Sequence, residues 1–152
     1  MKRSIATCFL IGSLLAGCAT QPETAQQEEE QPLTVEEILA SAPKPEDYSD
    51  PVTCLNRYAY EEVDVINQEL LLFYGRRGKV WLNRLRNACI GLRRRDTLAF
   101  DMRDNRLCDL DTFSSVDAFG GPLERTSARC SLGKFEPVSP EQAQLLKEGL
   151  TQ

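Results

Sequence analysis

Four cysteines, Cys54, Cys89, Cys108 and Cys130, are spread across residues 51–152 of a chain of 152. An even number at wide spacing is the pattern of an exported domain stapled by disulfides. Two such bonds would typically add about 2–4 kcal/mol each. Four cysteines admit three pairings. Cys54 opens the domain, Cys130 begins its last expected strand, and Cys89 and Cys108 flank one expected hairpin. Cys54–Cys130 with Cys89–Cys108 is therefore the expected pairing, and the other two stay open. A four-cysteine zinc site is the competing use. The chain has neither a C-x-x-C pair nor any histidine, so no metal and no cofactor are expected.

Export is legible at the other end. Met1-Lys2-Arg3 supplies two cations, and an apolar run from Ile5 to Leu15 follows, interrupted only by Ser, Thr and Gly. The run is shorter than the roughly 20 apolar residues a bilayer span needs. With its small-residue end it has the shape of a signal peptide over residues 1–17. Leu15-Ala16-Gly17-Cys18 resembles the lipobox of bacterial lipoproteins. That resemblance implies a diacylglycerol on the Cys18 sulfur, cleavage before Cys18 and acylation, by palmitate or a similar chain, of the new amine. Two or more buried chains give stable anchoring, at about 0.8 kcal/mol per methylene. Ala19 stands where aspartate would signal retention at the inner membrane. The resemblance therefore implies an outer-membrane, lipid-anchored protein facing the periplasm.

Residues 18–50 then change character. After Cys18 they carry nine acids against Lys44 alone. Such a stretch buries too little apolar surface to repay the entropy of ordering, and reads as a flexible acidic tether. Within it, Thr34 to Glu37 fits a capping box, Ile38 and Leu39 follow, and Pro43 stops the pattern. A transient turn is expected there in preference to a docked helix.

Residues 51–152 hold fifteen Lys and Arg against fourteen Asp and Glu, and are of single-domain size. Tyr58 to Ile66 alternates with a change of phase that suggests a bulge. Leu70 to Tyr74 is a continuous apolar run, fit for a strand buried on both faces. Gly75-Arg76-Arg77-Gly78 is a hairpin loop, and Lys79 to Asn83 returns. Thr97 to Arg103 alternates with Leu98, Phe100 and Met102 inward, Asp104-Asn105 turns, and Arg106 to Leu110 pairs back. Gly120-Gly121-Pro122 reads as a loop, and Ala128 to Phe135 as one more strand. Leu82, Leu85, Ala88, Cys89 and Leu92 suggest a turn or two of helix ended by Gly91. Ser139, Pro140 and Gln142 form a strong helix start, and Gly149 an end. The expected fold is mainly β: a small antiparallel sheet or partly open barrel stapled by disulfides, with a short C-terminal helix.

The order Cys54, a hairpin with an apolar return strand, "LRNACIGL", "LCDLD" and "RCSLGKFEPVS" resembles a family of short exported proteins of Gram-negative bacteria with no assigned function. It covers roughly residues 52–140. The resemblance implies a compartment and a fold, and brings no catalytic residues with it.

Chemistry is sparse. Without histidine, Ser-His-Asp and Cys-His machinery are excluded. One formal Ser-x-x-Lys match, Ser131 and Lys134, falls in an expected strand, where positions three apart face opposite sides. Asp109 and Asp111, two apart on an expected strand, would share a face and could serve acid–base work or calcium binding; a solvent-facing pair is the plainer reading.

The strongest signal is basic. From Gly75 to Asp96 the chain carries eight cations and no acid before Asp96. Two sub-clusters stand out: Arg76, Arg77 and Lys79 in a loop, and Arg93, Arg94 and Arg95 after Gly91. Guanidinium forks suit phosphate and carboxylate. In an exported protein the available anions are lipid phosphates, lipopolysaccharide cores, acidic partner surfaces and the chain's own acidic tether, so no nucleic acid is expected. The plainer alternative is a solvated face paired with Asp96, Asp101 and Asp109. The functional expectation is a non-enzymatic binding or accessory module for an envelope protein or anionic envelope component. An enzyme acting on an envelope polymer through Asp109 and Asp111, and a purely structural lipoprotein, are the alternatives.

Overall fold

Leu70, Leu71, Leu72 and Phe73 stand in sequence without a polar break, so a strand there must be covered on both faces. The computed structural model, which describes residues 33–46, 48–102, 104–117 and 124–150, covers it. The elements in chain order are α1 (Val35–Ser41), β1 (Cys54–Asn56), β2 (Tyr60–Val65), β3 (Leu70–Gly75), β4 (Val80–Arg84), β5 (Thr97–Phe100), β6 (Arg106–Cys108), β7 (Thr112–Asp117), β8 (Glu124–Arg125), β9 (Cys130–Ser131), β10 (Phe135–Val138) and α2 (Pro140–Gly149). All strand pairs are antiparallel. One sheet runs β10-β4-β3-β2, a second runs β5-β7-β8 with β9 also on β7, and β1 pairs with β6. The chain is thus mainly β with a short C-terminal helix and two disulfides. The sheets do not close into a barrel among the described residues.

Alternation along β3 divides the core. Leu71 and Phe73 pack with Trp81, Leu107, Phe113 and Phe135 on one face. Leu70 and Leu72 pack with Ile38, Val80, Leu82 and Leu146 on the other, beneath the two helices. The phase change in β2 is a bulge, with the register slipping between Tyr60 and Glu62. The β3–β4 turn is made by Gly75 to Gly78, with Arg77 and Gly78 at positive φ.

Several expectations are corrected. The helical spacing over Leu82 to Leu92 does not make a helix. Leu82 and Asn83 are held in β4, which is hydrogen-bonded to both β3 and β10. Leu85, Cys89 and Leu92 still reach the core, from turns. The expected hairpin of 97–103 with 106–110 does not form either. Asp104 and Asn105 take the positive φ angles of a tight turn, but β5 pairs with β7, and β6 crosses to β1. Leu107 and Leu55, opposite one another and both buried, hold that second pair. Met102, expected inward, is exposed.

The pairing of the cysteines follows. The disulfides are Cys54–Cys108 and Cys89–Cys130, in place of the expected Cys54–Cys130 and Cys89–Cys108. Cys54 lies directly opposite Cys108 because β1 and β6 are neighbours. The single strand expected over 128–135 is two. β9 joins one sheet and β10 the other, and the chain crosses between them at Leu132-Gly133-Lys134.

Residues 33–46 and 48–50, ahead of the expected boundary, also join the packed unit. Thr34 and Glu37 complete their capping box and α1 forms. Ile38 is fully buried. The buried Gln142 side chain donates to Leu39 O at 2.8 Å and Ala42 O at 2.9 Å, satisfying carbonyls at the end of α1. Tyr48 donates to Val138 O and accepts from Val80 N, both at 3.0 Å, stitching the β4–β10 edge. The boundary expected between 50 and 51 therefore falls inside the folded unit. A few apolar anchors outweigh the acidic composition. Cys18, the expected signal peptide over 1–17 and Gly120-Gly121-Pro122 lie outside the described residues.

The α1 contacts carry a pH dependence. A hydrogen bond from Arg84 lowers the Glu36 pKa below its ordinary 4.5, and the Thr34 backbone and hydroxyl do the same for Glu37. Carboxyls with depressed folded values stabilise above the unfolded value and lose that contribution as pH falls through the folded one. The protection of the amides over residues 35–41, measured against the intrinsic exchange rate at each pH, is expected to fall below about pH 4.5 while β3 and β4 stay protected. Unchanged protection of α1 at pH 3 would contradict this.

Candidate anion-binding site

The turn Arg93–Asp96 is built by local chemistry. Gly91 adopts φ +87°, and an added Cβ there would meet Thr126 O at 3.2 Å. Leu92 is buried and Cys89 is tied to Cys130, which fixes the chain just before the turn. Asp96 N donates to Arg93 O at 3.1 Å, and Asp96 Oδ2 accepts from Arg93 N at 2.9 Å. Arg94 and Arg95 are the two central residues of this β-turn and, with Arg93, point to solvent.

The neighbouring cations find acids. Arg76 pairs with Glu61 at 2.8 Å, Arg84 with Glu36 at 2.8 Å and Glu136 at 3.3 Å, Arg86 with Asp109 at 3.8 Å, and Arg129 with Asp101 at 3.6 Å. Lys79 lies over the Tyr48 ring at 4.8 Å. None of the guanidinium groups of Arg93, Arg94 and Arg95 has a carboxylate within 4.0 Å among the described residues. The one acid expected beside them, Asp96, serves the turn backbone instead.

These three arginines line a groove of about 620 Å³ together with Asp64, Val65, Ile66 and Lys147. Lys147 comes from the last turn of α2, 52 positions beyond Arg95, and nothing local in the sequence links it to the arginines. Asp64 accepts from Lys147 Nζ at 2.6 Å, and that bond raises the lysine pKa above its ordinary 10.5, although partial burial opposes the shift. The ammonium therefore stays charged throughout the neutral range. It also sits 5.5 Å from the Tyr74 ring centre. Four cations face one acid, and that acid is already engaged with one of them.

The structure does not bring the two basic sub-clusters into one groove. Arg76 is anchored to Glu61 at the start of β2, whereas Arg93, Arg94 and Arg95 lie beside Val65 and Ile66 at its end. The separation is a strand's length, roughly 15 Å. Arg77 and Lys79 stay with the β3–β4 turn. Asp109 and Asp111 do not share a strand face. They sit in a turn where Leu110 has φ 72°, and Asp111 Oδ2 accepts from Cys108 N at 2.7 Å. Ser131 lies in β9, half-buried, while Lys134 is exposed beyond its end. Among the described residues no group of three His, Cys, Asp or Glu side chains is placed to hold a metal ion, and no helix is long and apolar enough to cross a membrane.

The fold and this groove define a small disulfide-stapled, mainly β domain with a cationic surface turn. The chain belongs to a family of unknown function, DUF6491, whose sequence profile matches residues 1–152. No curated protein and no solved structure matches it.

Proposed function

We propose that this is an exported, lipid-anchored envelope protein whose domain binds an anionic envelope component in the groove of Arg93, Arg94, Arg95 and Lys147. The observation that carries the reading is the segregation of charge: the groove's one carboxylate, Asp64, is engaged with Lys147, Asp96 accepts from the turn backbone, and the exposed Arg93, Arg94 and Arg95 line an open groove. The two disulfides fit an oxidising compartment. The leader and the Leu15-to-Cys18 lipobox supply the route and the anchor, with Ala19 directing the protein to the periplasmic side of the outer membrane. The module acts by binding rather than by catalysis, since Asp109 and Asp111 are engaged with Arg86 and the Cys108 backbone.

Two measurements test it. Full-length protein purified from envelope membranes is expected to carry its anionic partner at low salt and lose it at high salt, because exposed charges are screened beyond about 8 Å at physiological ionic strength. Reversal of Arg93, Arg94 and Arg95 to Glu is expected to abolish co-purification, a loss of at least about tenfold in affinity, while reversal of Arg76 and Arg77 leaves it. Partner retention by the triple variant would overturn the site. Replacement of Cys18 by Ser is expected to release the protein from membranes; unchanged membrane association would remove the anchor from the proposal.

A further inference from the structure

The arginine turn is the second of two turns in immediate succession. Leu92 N donates to Cys89 O at 3.1 Å and closes a turn with Ile90 and Gly91 at its centre. Asp96 N donates to Arg93 O at 3.1 Å and closes the next around Arg94 and Arg95. Cys89 and Leu92, which root the first turn, are buried. What the two turns display is Ile90, 75% exposed, together with Arg93, Arg94 and Arg95. No acid occurs from Lys79 to Arg95. Ile90 adds nothing to the core. It stands within about 11 Å of the Arg93 backbone, the reach of three extended residues, so the aliphatic tip and the guanidinium groups form one patch.

We infer that these two turns dock on the surface of an anionic lipid bilayer, with Ile90 entering the boundary between headgroups and acyl chains and Arg93, Arg94 and Arg95 taking the headgroup phosphates. The inference rests on the anion-binding reading above and names the partner of that site. Guanidinium forks bond phosphate bidentately. Each cation held near an anionic membrane strengthens partition roughly fivefold. A free phosphate or an acidic polysaccharide would engage the arginines and leave Ile90 in water. A bilayer has an apolar layer directly beneath its charges and covers both. A stable protein interface buries about 800 Å² on each side around a packed apolar centre, and one isoleucine at the tip of a turn supplies no such centre. The turns are also held in place before any partner arrives, by the Cys89–Cys130 disulfide and by the Asp96 carboxylate on the Arg93 backbone.

The test uses the full chain with Cys18→Ser, so that no acyl chain contributes, sedimented with phosphatidylcholine vesicles with and without phosphatidylglycerol. Phosphatidylglycerol is expected to carry the protein down with the vesicles, and raised salt to release it. Arg93→Glu, Arg94→Glu and Arg95→Glu together are expected to weaken binding at least about hundredfold, and Ile90→Ser about tenfold. Ile90→Trp is expected to keep binding and to add an emission that shifts to the blue on these vesicles, beyond that of Trp81 in the parent chain. Position 90 is exposed, so neither change there disturbs the core. Glycerol 3-phosphate, the detached headgroup, is expected to bind at least about tenfold more weakly than the vesicle surface, which offers many headgroups at once. Undiminished binding by the arginine variant overturns the docking. Binding indifferent to Ile90→Ser, with no blue shift from Ile90→Trp, overturns it and leaves the anion site standing. Glycerol 3-phosphate binding as tightly as the vesicles overturns it in favour of a soluble phosphate. Failure to bind vesicles, by protein that still co-purifies with an anionic partner at low salt, overturns it in favour of that partner. No vesicle binding and no salt-sensitive partner overturn both this inference and the function proposed above.

Discussion

Replacing Asn83 by alanine is expected to cost about 3–5 kcal/mol of folding stability, since two or three buried backbone groups lose their partners at about 1–3 kcal/mol each. Asn83 is a fully buried polar residue in the central strand β4. Its Oδ1 accepts from Gly133 N at 3.0 Å, and its Nδ2 donates to Gly133 O at 2.8 Å and Lys134 O at 3.3 Å. These bonds hold the chain where it leaves one sheet at β9 and enters the other at β10, a place with no ladder partner of its own. Gly133 is required at the same point, because an added Cβ would stand 2.1 Å from Arg84 O. Gly133→Ala should therefore be of similar severity. The double variant should cost much less than the sum, since both changes break one crossing. Urea denaturation measures this. A loss under about 1 kcal/mol for Asn83→Ala, or full additivity, would contradict the account.

Removal of the Cys89–Cys130 disulfide, by paired substitution to alanine, ranks beside it. The bond closes a loop with a sequence separation of 41, and the chain-entropy model gives about 4 kcal/mol for a loop of that size. It also ties the turns after β4 to β9, directly ahead of the arginine turn. Anion affinity is therefore expected to fall in this variant although no cation has been changed. Loss of Cys54–Cys108, with a separation of 54, should cost a similar stability but act on the β1–β6 pair and spare the groove. Peptide mapping without reductant checks the connectivity, and denaturation and phosphate titration check the two consequences. A Cys54–Cys130 peptide, or equal effects of both removals on binding, would overturn this.

Stability and the proposed binding meet in the arginine turn. Its exposure is held by buried neighbours, Leu92 and Cys89, and by the Asp96 carboxylate folded back on its own backbone. A cationic surface loop pinned in this way loses little further freedom when it binds an anion, which favours affinity. The fourth cation, Lys147, depends on α2 being docked, and Gln142, in the first turn of α2, also ends α1.

What the sequence by itself determined is what a few consecutive residues can decide. Both capping boxes, Thr34 with Glu37 and Ser139 with Gln142, form as read, because each closes within three residues. The doubly buried strand at Leu70, the bulge after Tyr60 and the turn at Gly75 to Gly78 were equally legible, since side-chain period and φ preference are local properties. Only the tertiary structure decided which strand lies beside which. Thr97–Phe100 and Arg106–Cys108 look like one hairpin in the sequence, yet each is drawn to a different partner by the burial of Phe100 against Phe113 and of Leu107 against Leu55. The disulfide pairing, the crossing at Gly133, the docking of α1 and the meeting of Lys147 with Arg93 to Arg95 follow from that choice. Their physical reason is common to all: partners tens of residues apart are selected by the total apolar surface that can be covered at once, and no local pattern encodes that sum.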